Sequence, residues 1–256
     1  MKNTAVWAQG AIVLALVVAV PAAAADTRDP KAVEIAKTMM QAMGGQDAWA
    51  KAHFVRYDFR VTVDGKTVLD RAHLWDKMTG RYRIDSTLRD GKPTVTLFNI
   101  NDQKGTVYAA GKPLPGTESE KGVKDAYAAF INDMYWLSMP WKWLDSGVNL
   151  KYVGQKKLGA KSFDVVELTF GKVGLTPGDR YLAYVSQQSH LMEHWEYTLQ
   201  SGNKDAWDWT YTTSGGVTLA GDHNNADHSK RINMGSVRVS TEMDESLFTD
   251  GKKSLK

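Results

Sequence analysis

The side chains best placed to do chemistry in this chain are its histidines. There are six among 256 residues, and there is no cysteine. His190 and His194 stand four apart, the interval that puts two imidazoles on one side of a helix for zinc. Here the interval spans a predicted turn and strand, so the two rings need not share a face. Asp222-His223 and Asp227-His228, with Asn224-Asn225 between them, offer carboxylate and imidazole donors for a divalent ion or a hydrolytic reaction. A polar hairpin tip accounts for the same residues. Asp85, Asp179, Glu193 and Glu196 fall on strands beside Arg and Lys and read as solvated faces or cross-strand pairs. The chain contains no nucleophile elbow, Walker loop, dinucleotide glycine fingerprint or HExxH. The absence of cysteine removes thiolate sites, a Cys nucleophile, disulfides and lipid attachment through Cys. The expectation is a protein with no catalytic set, no metal and no cofactor. The alternative is a metal-dependent or other hydrolytic envelope enzyme built on His223, Asp227 and His228.

Aromatic placement is the stronger signal. The chain has nine tryptophans, and six fall in two clusters: Trp136, Trp141 and Trp143, then Trp195, Trp207 and Trp209. Trp195, Tyr197 and Leu199 share one face of a predicted strand, and Trp207, Trp209 and Tyr211 one face of the next. If these strands pair, that face is an aromatic wall. It either fills a core or lines a cavity for an apolar ligand. The stretch Ser138 to Asp145 reads as a loop pinned by its own indoles or as a flap at a cavity mouth.

The elements that position these residues follow from periodicity. Asp29-Pro30 caps a helix whose apolar side is Val33, Ala36, Met39, Met40 and Met43, and Gly44-Gly45 stops it. Asp47 to Ala52 adds one turn. From Val55 to Val63 the odd positions, including Tyr57 and Phe59, are apolar and the even ones polar, so one face of that strand is dry. Asp64-Gly65 is a hairpin signal, and Val68–Asp76, Arg81–Asp85, Thr94–Asn99 and Val107-Tyr108 continue an antiparallel meander. Val123, Ala126, Tyr127, Phe130, Ile131, Met134 and Leu137 keep helical spacing up to Pro140. Strands then resume at Leu150–Gly154, Phe163–Phe170, Tyr181–Ser186, Met192–Gln200, Ala206–Thr212, Val217–Ala220 and Arg231–Ser240. The last shifts phase at Gly235-Ser236, a candidate bulge. Thr176-Pro177-Gly178-Asp179 is a type II turn signal. About ten strands in one sheet must curl or split. The expectation is a mainly β (α+β) fold: a single large curved antiparallel sheet forming an unclosed half-barrel, with the N-terminal helix and the inserted lid helix on its concave side.

Composition sets the wider limits. The chain is 43% hydrophobic and 24% charged, an ordinary globular balance, with a net charge of +3 and no Lys/Arg run to suggest nucleic acid. Lys2, the apolar run Ala11 to Val20, Pro21 and Ala22–Ala25 form a secretory leader with cleavage expected near Ala25. No later stretch reaches membrane-spanning length. The expected organisation is a signal peptide at 1–25, one domain at 26–250 and a frayed tail at 251–256, in a bacterial periplasm.

The stretch Tyr181-Leu-Ala-Tyr-Val-Ser-Gln-Gln-Ser-His-Leu-Met-Glu-His-Trp-Glu-Tyr197 resembles the strand, tight turn and strand that recur in the periplasmic lipoprotein-carrier and outer-membrane lipoprotein-sorting superfamily. Phe130-Ile-Asn-Asp-Met-Tyr-Trp-Leu-Ser-Met-Pro-Trp-Lys142 and Val173-Gly-Leu-Thr-Pro-Gly-Asp-Arg-Tyr181 are closer still to an uncharacterised exported family. The resemblance implies an incomplete barrel whose concave surface binds acyl chains. This sequence differs from such carriers in placing indoles where slimmer aliphatic side chains are usual. The function expected is a soluble periplasmic carrier holding an acyl or lipid-like ligand, gated by the Val123–Leu137 helix and its Trp-rich loop. A non-catalytic scaffold for an envelope protein partner is a further alternative. The candidate ligand-binding residues are Tyr57 and Phe59 on the first strand; Phe130, Met134, Trp136 and Trp141 on the lid; and Trp195, Tyr197, Trp207 and Trp209 on the wall.

Overall fold

The computed structural model describes residues 26–87, 91–171 and 178–255. The expected leader and Thr176-Pro177 of the expected type II turn lie outside the described residues.

Helix α1 (Pro30–Ala42) starts where Asp29 accepts a hydrogen bond from the Lys31 amide and Pro30 takes the first helical position. Its buried face is Ala32, Ile35, Ala36, Met39 and Met40. Gly44 ends it with φ +113°, and a Cβ there would lie 2.1 Å from the Gly216 carbonyl oxygen. Only glycine permits that approach, which brings the Thr218 amide 2.8 Å from the Met43 carbonyl. A short helix, α2 (Gln46–Lys51), follows.

The strands are β1 (Phe54–Val63), β2 (Lys66–Asp76), β3 (Arg81–Thr87), β4 (Pro93–Asn99), β5 (Gly105–Ala109) and β6 (Lys112–Pro113), then β7 (Val148–Leu158), β8 (Lys161–Phe170), β9 (Arg180–Ser186), β10 (Met192–Thr198), β11 (Lys204–Ser214), β12 (Val217–Asn225) and β13 (Lys230–Ser240). They form one 13-stranded sheet in the order β6-β5-β4-β3-β2-β1-β13-β12-β11-β10-β9-β8-β7. Two antiparallel meanders are thus joined by the pairing of β1 with β13, and β6 and β7 are left as edges. The sheet does not close, as the half-barrel expectation requires. Asp64 and Gly65 turn with φ of 48° and 75°, the primed geometry that matches strand twist. The expected bulge lies at Gly235-Ser236: the register slips between Arg56 and Asp58 opposite it, and Ser236 has φ 50°.

Helix α3 (Gly116–Ser138) joins β6 to β7, the two edges of the open sheet. A connection between opposite edges has to cross the face, so topology makes α3 a cover. It begins seven residues before the apolar repeat at Val123. Val123, Ala126, Ala129, Phe130 and Met134 pack on Tyr82, Ile84, Phe98 and Val107. Helix α1 packs into the larger core with the rest of the concave face. Among the described residues no helix is long and apolar enough to cross a membrane.

The expected frayed tail is corrected. Arg83, fully buried on the convex face, forms an ion pair with Asp85 and donates to the carbonyls of Leu247, Asp250 and Lys253. Asp85 also accepts from the Leu255 amide at 2.7 Å. A buried guanidinium needs several acceptors, and the terminal segment supplies them. Asp85 is therefore 7% exposed rather than solvated.

Candidate functional site

The concave face carries a cleft of about 790 Å³ between the C-terminal half of α3 and strands β8–β10. Its sheet wall is Leu168 and Phe170 on β8, Tyr181 on β9, and Trp195 and Tyr197 on β10. Its roof is Phe130, Met134, Tyr135 and Trp136 on α3, continued by Met139 and Trp143 in the 3-10 turn Met139–Lys142 and just after it. Trp75 on β2 and Val148 on β7 close two further sides. The rim is polar, with Asn132, Lys142, Asp145, Ser146, Gln200 and Ser201.

The wall forms because β10 and β11 pair with Trp195 opposite Trp207, as the alternation predicts. Tyr181 stacks on Trp195 at 4.8 Å, and Tyr135 lies 6.5 Å from Phe170 and 6.0 Å from Tyr181. Burial pushes the Tyr135 phenol well above its ordinary value, with Tyr181, Asp179 and Asp145 adding to the effect, so it stays protonated.

Five of the ten sequence candidates meet in this cleft: Phe130, Met134, Trp136, Trp195 and Tyr197. The other five lie elsewhere. Trp207 and Trp209 are 4% and 3% exposed and pack around Trp136 at 5.0 and 6.0 Å. Trp141 stacks on Trp49 and donates its indole N–H to the Thr218 carbonyl at 3.0 Å. Phe59 is buried in the main core, and Tyr57 belongs to a polar chain. Strand alternation identifies which side chains face inward, but not which inward space a helix fills. Trp75, Tyr135, Phe170 and Tyr181 were missed. Tyr181 and Phe170 could have been found from sheet register, since Tyr181 stands opposite Tyr197 and opposite Leu168, which is two residues before Phe170; Trp75, at the end of a strand from the other meander, carried no such signal.

The loop after α3 is pinned rather than a free flap. Trp143 is fully buried with its indole nitrogen 2.9 Å from Met139 Sδ, and Ser138 caps back onto the Met134 carbonyl at 2.9 Å.

A buried polar chain fastens α3 to the sheet. Asp133, 0% exposed, accepts from Arg71 at 2.8 Å and lies 3.1 Å from His73 Nε2. His73 Nδ1 meets the Tyr82 hydroxyl at 3.1 Å, which meets the Tyr57 hydroxyl at 2.9 Å. Burial holds His73 below its ordinary value, so the ring is neutral, with Nε2–H toward Asp133 and Nδ1 accepting from Tyr82. Burial alone would raise the Asp133 carboxyl, but its hydrogen bonds and Arg71 hold it below the usual range. None of these side chains lines the cleft.

The histidine readings change. Asp222 and His223 are on β12, not in a loop. His223 is fully buried, 4.2 Å from Trp209 and 5.2 Å from Trp136, and burial lowers it to about 3. It therefore does not converge with Asp227 and His228 at the hairpin turn. His190 sits in a turn with φ 58°, while His194 pairs with Asp208 at 2.7 Å. Among the described residues there is no group of three or more metal-ligating side chains. Asp179 is also not solvated: it is 4% exposed and accepts from the Gln200 amide at 2.8 Å and the Tyr181 hydroxyl at 3.2 Å.

No protein-family model matches the chain, and no curated protein matches it. Solved structures do resemble it. A DUF1329 family protein from Desulfovibrio piger aligns with a TM-score of 0.46 and 9% identity over 85% of this chain and 96% of that one. A putative outer membrane lipoprotein-sorting protein domain from Vibrio parahaemolyticus gives 0.40 and 13% over 85% and 96%. A LolA superfamily protein from Nitrosomonas europaea gives 0.42 and 12% over 80% and 97%. A lipoprotein-sorting protein domain and a LolA superfamily protein are thus among the solved structures similar to this chain.

Proposed function

We propose that this protein is a non-catalytic carrier that holds an apolar, lipid-like molecule in the cleft beneath α3, in the periplasm to which its leader directs it. The observation that carries this reading is the cleft itself: about 790 Å³ of space walled by aromatic and aliphatic side chains. Apolar walls with a few polar groups at the mouth are the usual make-up of a small-molecule site. Burying one methylene gives about 0.8 kcal/mol, so a chain of a dozen offers roughly 10 kcal/mol before ordering costs. Those costs leave a net affinity that still permits release. The carboxylates near the cleft support binding over catalysis, since Asp133 is tied into the fastening chain and Asp179 accepts from the Gln200 amide and the Tyr181 hydroxyl.

The test is extraction and mass spectrometry of the protein purified from its native envelope, with Phe170→Asp as the comparison. Phe170 lines the cleft and is only half-buried, so its replacement leaves the core intact. The expected result is an apolar molecule released from the parent and absent from the variant, with the variant still folding cooperatively at a Tm lowered by only about 2–4 °C. A parent that releases none and binds no apolar fluorophore overturns the reading.

A further inference from the structure

The cleft carries charge as well as apolar surface. Among the described residues its lining holds three charged side chains, Lys142, Asp145 and Asp179. Lys142 is taken by Asp145 at 2.5 Å. Asp179 is 4% exposed and accepts from two neutral donors, the Gln200 amide at 2.8 Å and the Tyr181 hydroxyl at 3.2 Å, with no cation against it among the described residues. A carboxylate taken out of water on neutral donors alone is costly, and a cation brought to it offsets that cost.

Aromatic rings gather at the same place. Tyr181, whose hydroxyl donates to Asp179, has its ring 5.3 Å from Phe170 and 6.0 Å from Tyr135, and Tyr135 lies 6.5 Å from Phe170. These pairs meet at 71°, 38° and 73°, so the three rings form a corner rather than a flat stack. All three line the cleft, and Tyr135 and Phe170 are half-buried. The face of an aromatic ring is negative and attracts a cation. Elsewhere the chain's own cations lie over rings, Lys77 on Trp49, Arg81 on Phe248 and Lys156 on Tyr184, but none of these rings lines the cleft. The Tyr135 phenol, raised first by burial, is raised further by Tyr181, Asp179 and Asp145, so the field of both carboxylates reaches the roof.

Building on the carrier reading, we infer that Asp179 and the ring corner of Tyr135, Phe170 and Tyr181 form a subsite for an ammonium group, and that the molecule held is a cationic amphiphile, an amine or quaternary ammonium on an apolar tail, rather than a fatty-acid anion. The tail lies against the apolar walls, and the ammonium sits beside Gln200 of the rim. An anionic head would meet Asp179 while the one lining cation is already held. The preference is local, because the whole chain carries a net charge of +3, which by itself favours an anion.

The experiment compares tetradecyltrimethylammonium, 1-tetradecanol and myristate at pH 8, each below its micelle concentration, displacing N-phenyl-1-naphthylamine from the protein. An ammonium over ring faces beside a carboxylate predicts displacement at roughly threefold to thirtyfold lower concentration than the alcohol. Myristate should be weaker than the alcohol. Asp179→Asn, which removes the charge and keeps an acceptor oxygen, should bring the ammonium-to-alcohol ratio toward one. Tyr135→Leu, which removes one ring face, should lower it in part. Equal displacement by ammonium and alcohol from the parent, or a tighter myristate, overturns the subsite but leaves the carrier reading standing. A ratio that survives both substitutions also overturns the subsite. A parent that binds none of the three, nor the probe, overturns both readings. If the variants do not fold, the N-methyl proton resonance of the ammonium bound to the parent decides. A shift to higher field than in free solution supports the subsite, because ring faces shield what lies over them, and an unshifted resonance overturns it.

Discussion

Trp195 and Trp209 lie 5.2 Å apart on the same concave face, yet the space beside one is hollow and the space beside the other is solid. Trp209 is enclosed by Trp136 from α3 and by its sheet neighbours Trp195 and His223, within the same core as α1. Around Trp195 the C-terminal half of α3 faces strands β8–β10 across the cleft. Similar residue types therefore serve as packing in one place and as cavity wall a few ångströms away. The difference lies in helix reach, not in hydrophobicity.

The comparison can be broken from the solid side first. Trp209→Ala should cost about 4 kcal/mol, read as a fall in the denaturant midpoint, because the surrounding rings cannot collapse into the space left. A loss below about 1 kcal/mol would mean that this side is also loosely filled. The next largest effect is acid. His223 is lowered to about 3 from its ordinary 6.5, so the unfolded chain takes up a proton before the folded one does. The stability this represents is complete above pH 6.5 and is lost as pH falls toward 3. Between pH 7 and pH 4 it amounts to about 3 kcal/mol, at about 1.4 kcal/mol per pH unit. His73, also held low by burial, acts in the same direction. A thermal melt should show Tm falling over this range, with a shallower fall in His223→Phe; identical slopes would contradict a neutral His223 in the core. The smallest effect belongs to the hollow side. Phe170→Ala should cost only about 1 kcal/mol, since the ring already borders open space, while weakening displacement of an apolar fluorophore. A stability loss as large as that of Trp209→Ala would erase the distinction.

Much of the sheet was legible in advance. The period-two runs at Val55–Val63 and Trp195–Leu199, the Asp64-Gly65 turn and the Gly235-Ser236 phase shift all rest on local backbone and side-chain alternation, and all appear in the structure. The site was half legible. Phe130, Trp136 and Trp195 were found because each sits on the apolar side of its own element. Trp207 and Trp141 were misplaced because burial looks the same from sequence whether a ring meets a cavity or another ring. Asp222-His223 misled for a related reason: the polar pair reads as a loop tip, although the imidazole is enclosed by indoles that are distant in the chain.

The sequence by itself determined the alternation, the helix stops and the turns, because these depend on neighbours a few positions apart. Only the tertiary structure decided that β1 closes against β13, that Arg83 holds the C-terminal segment down, and that a void remains beside Trp195. Each of these depends on distances between residues far apart in the chain. A cavity in particular is space that no residue fills, and it is set by how far a helix joining two sheet edges can reach.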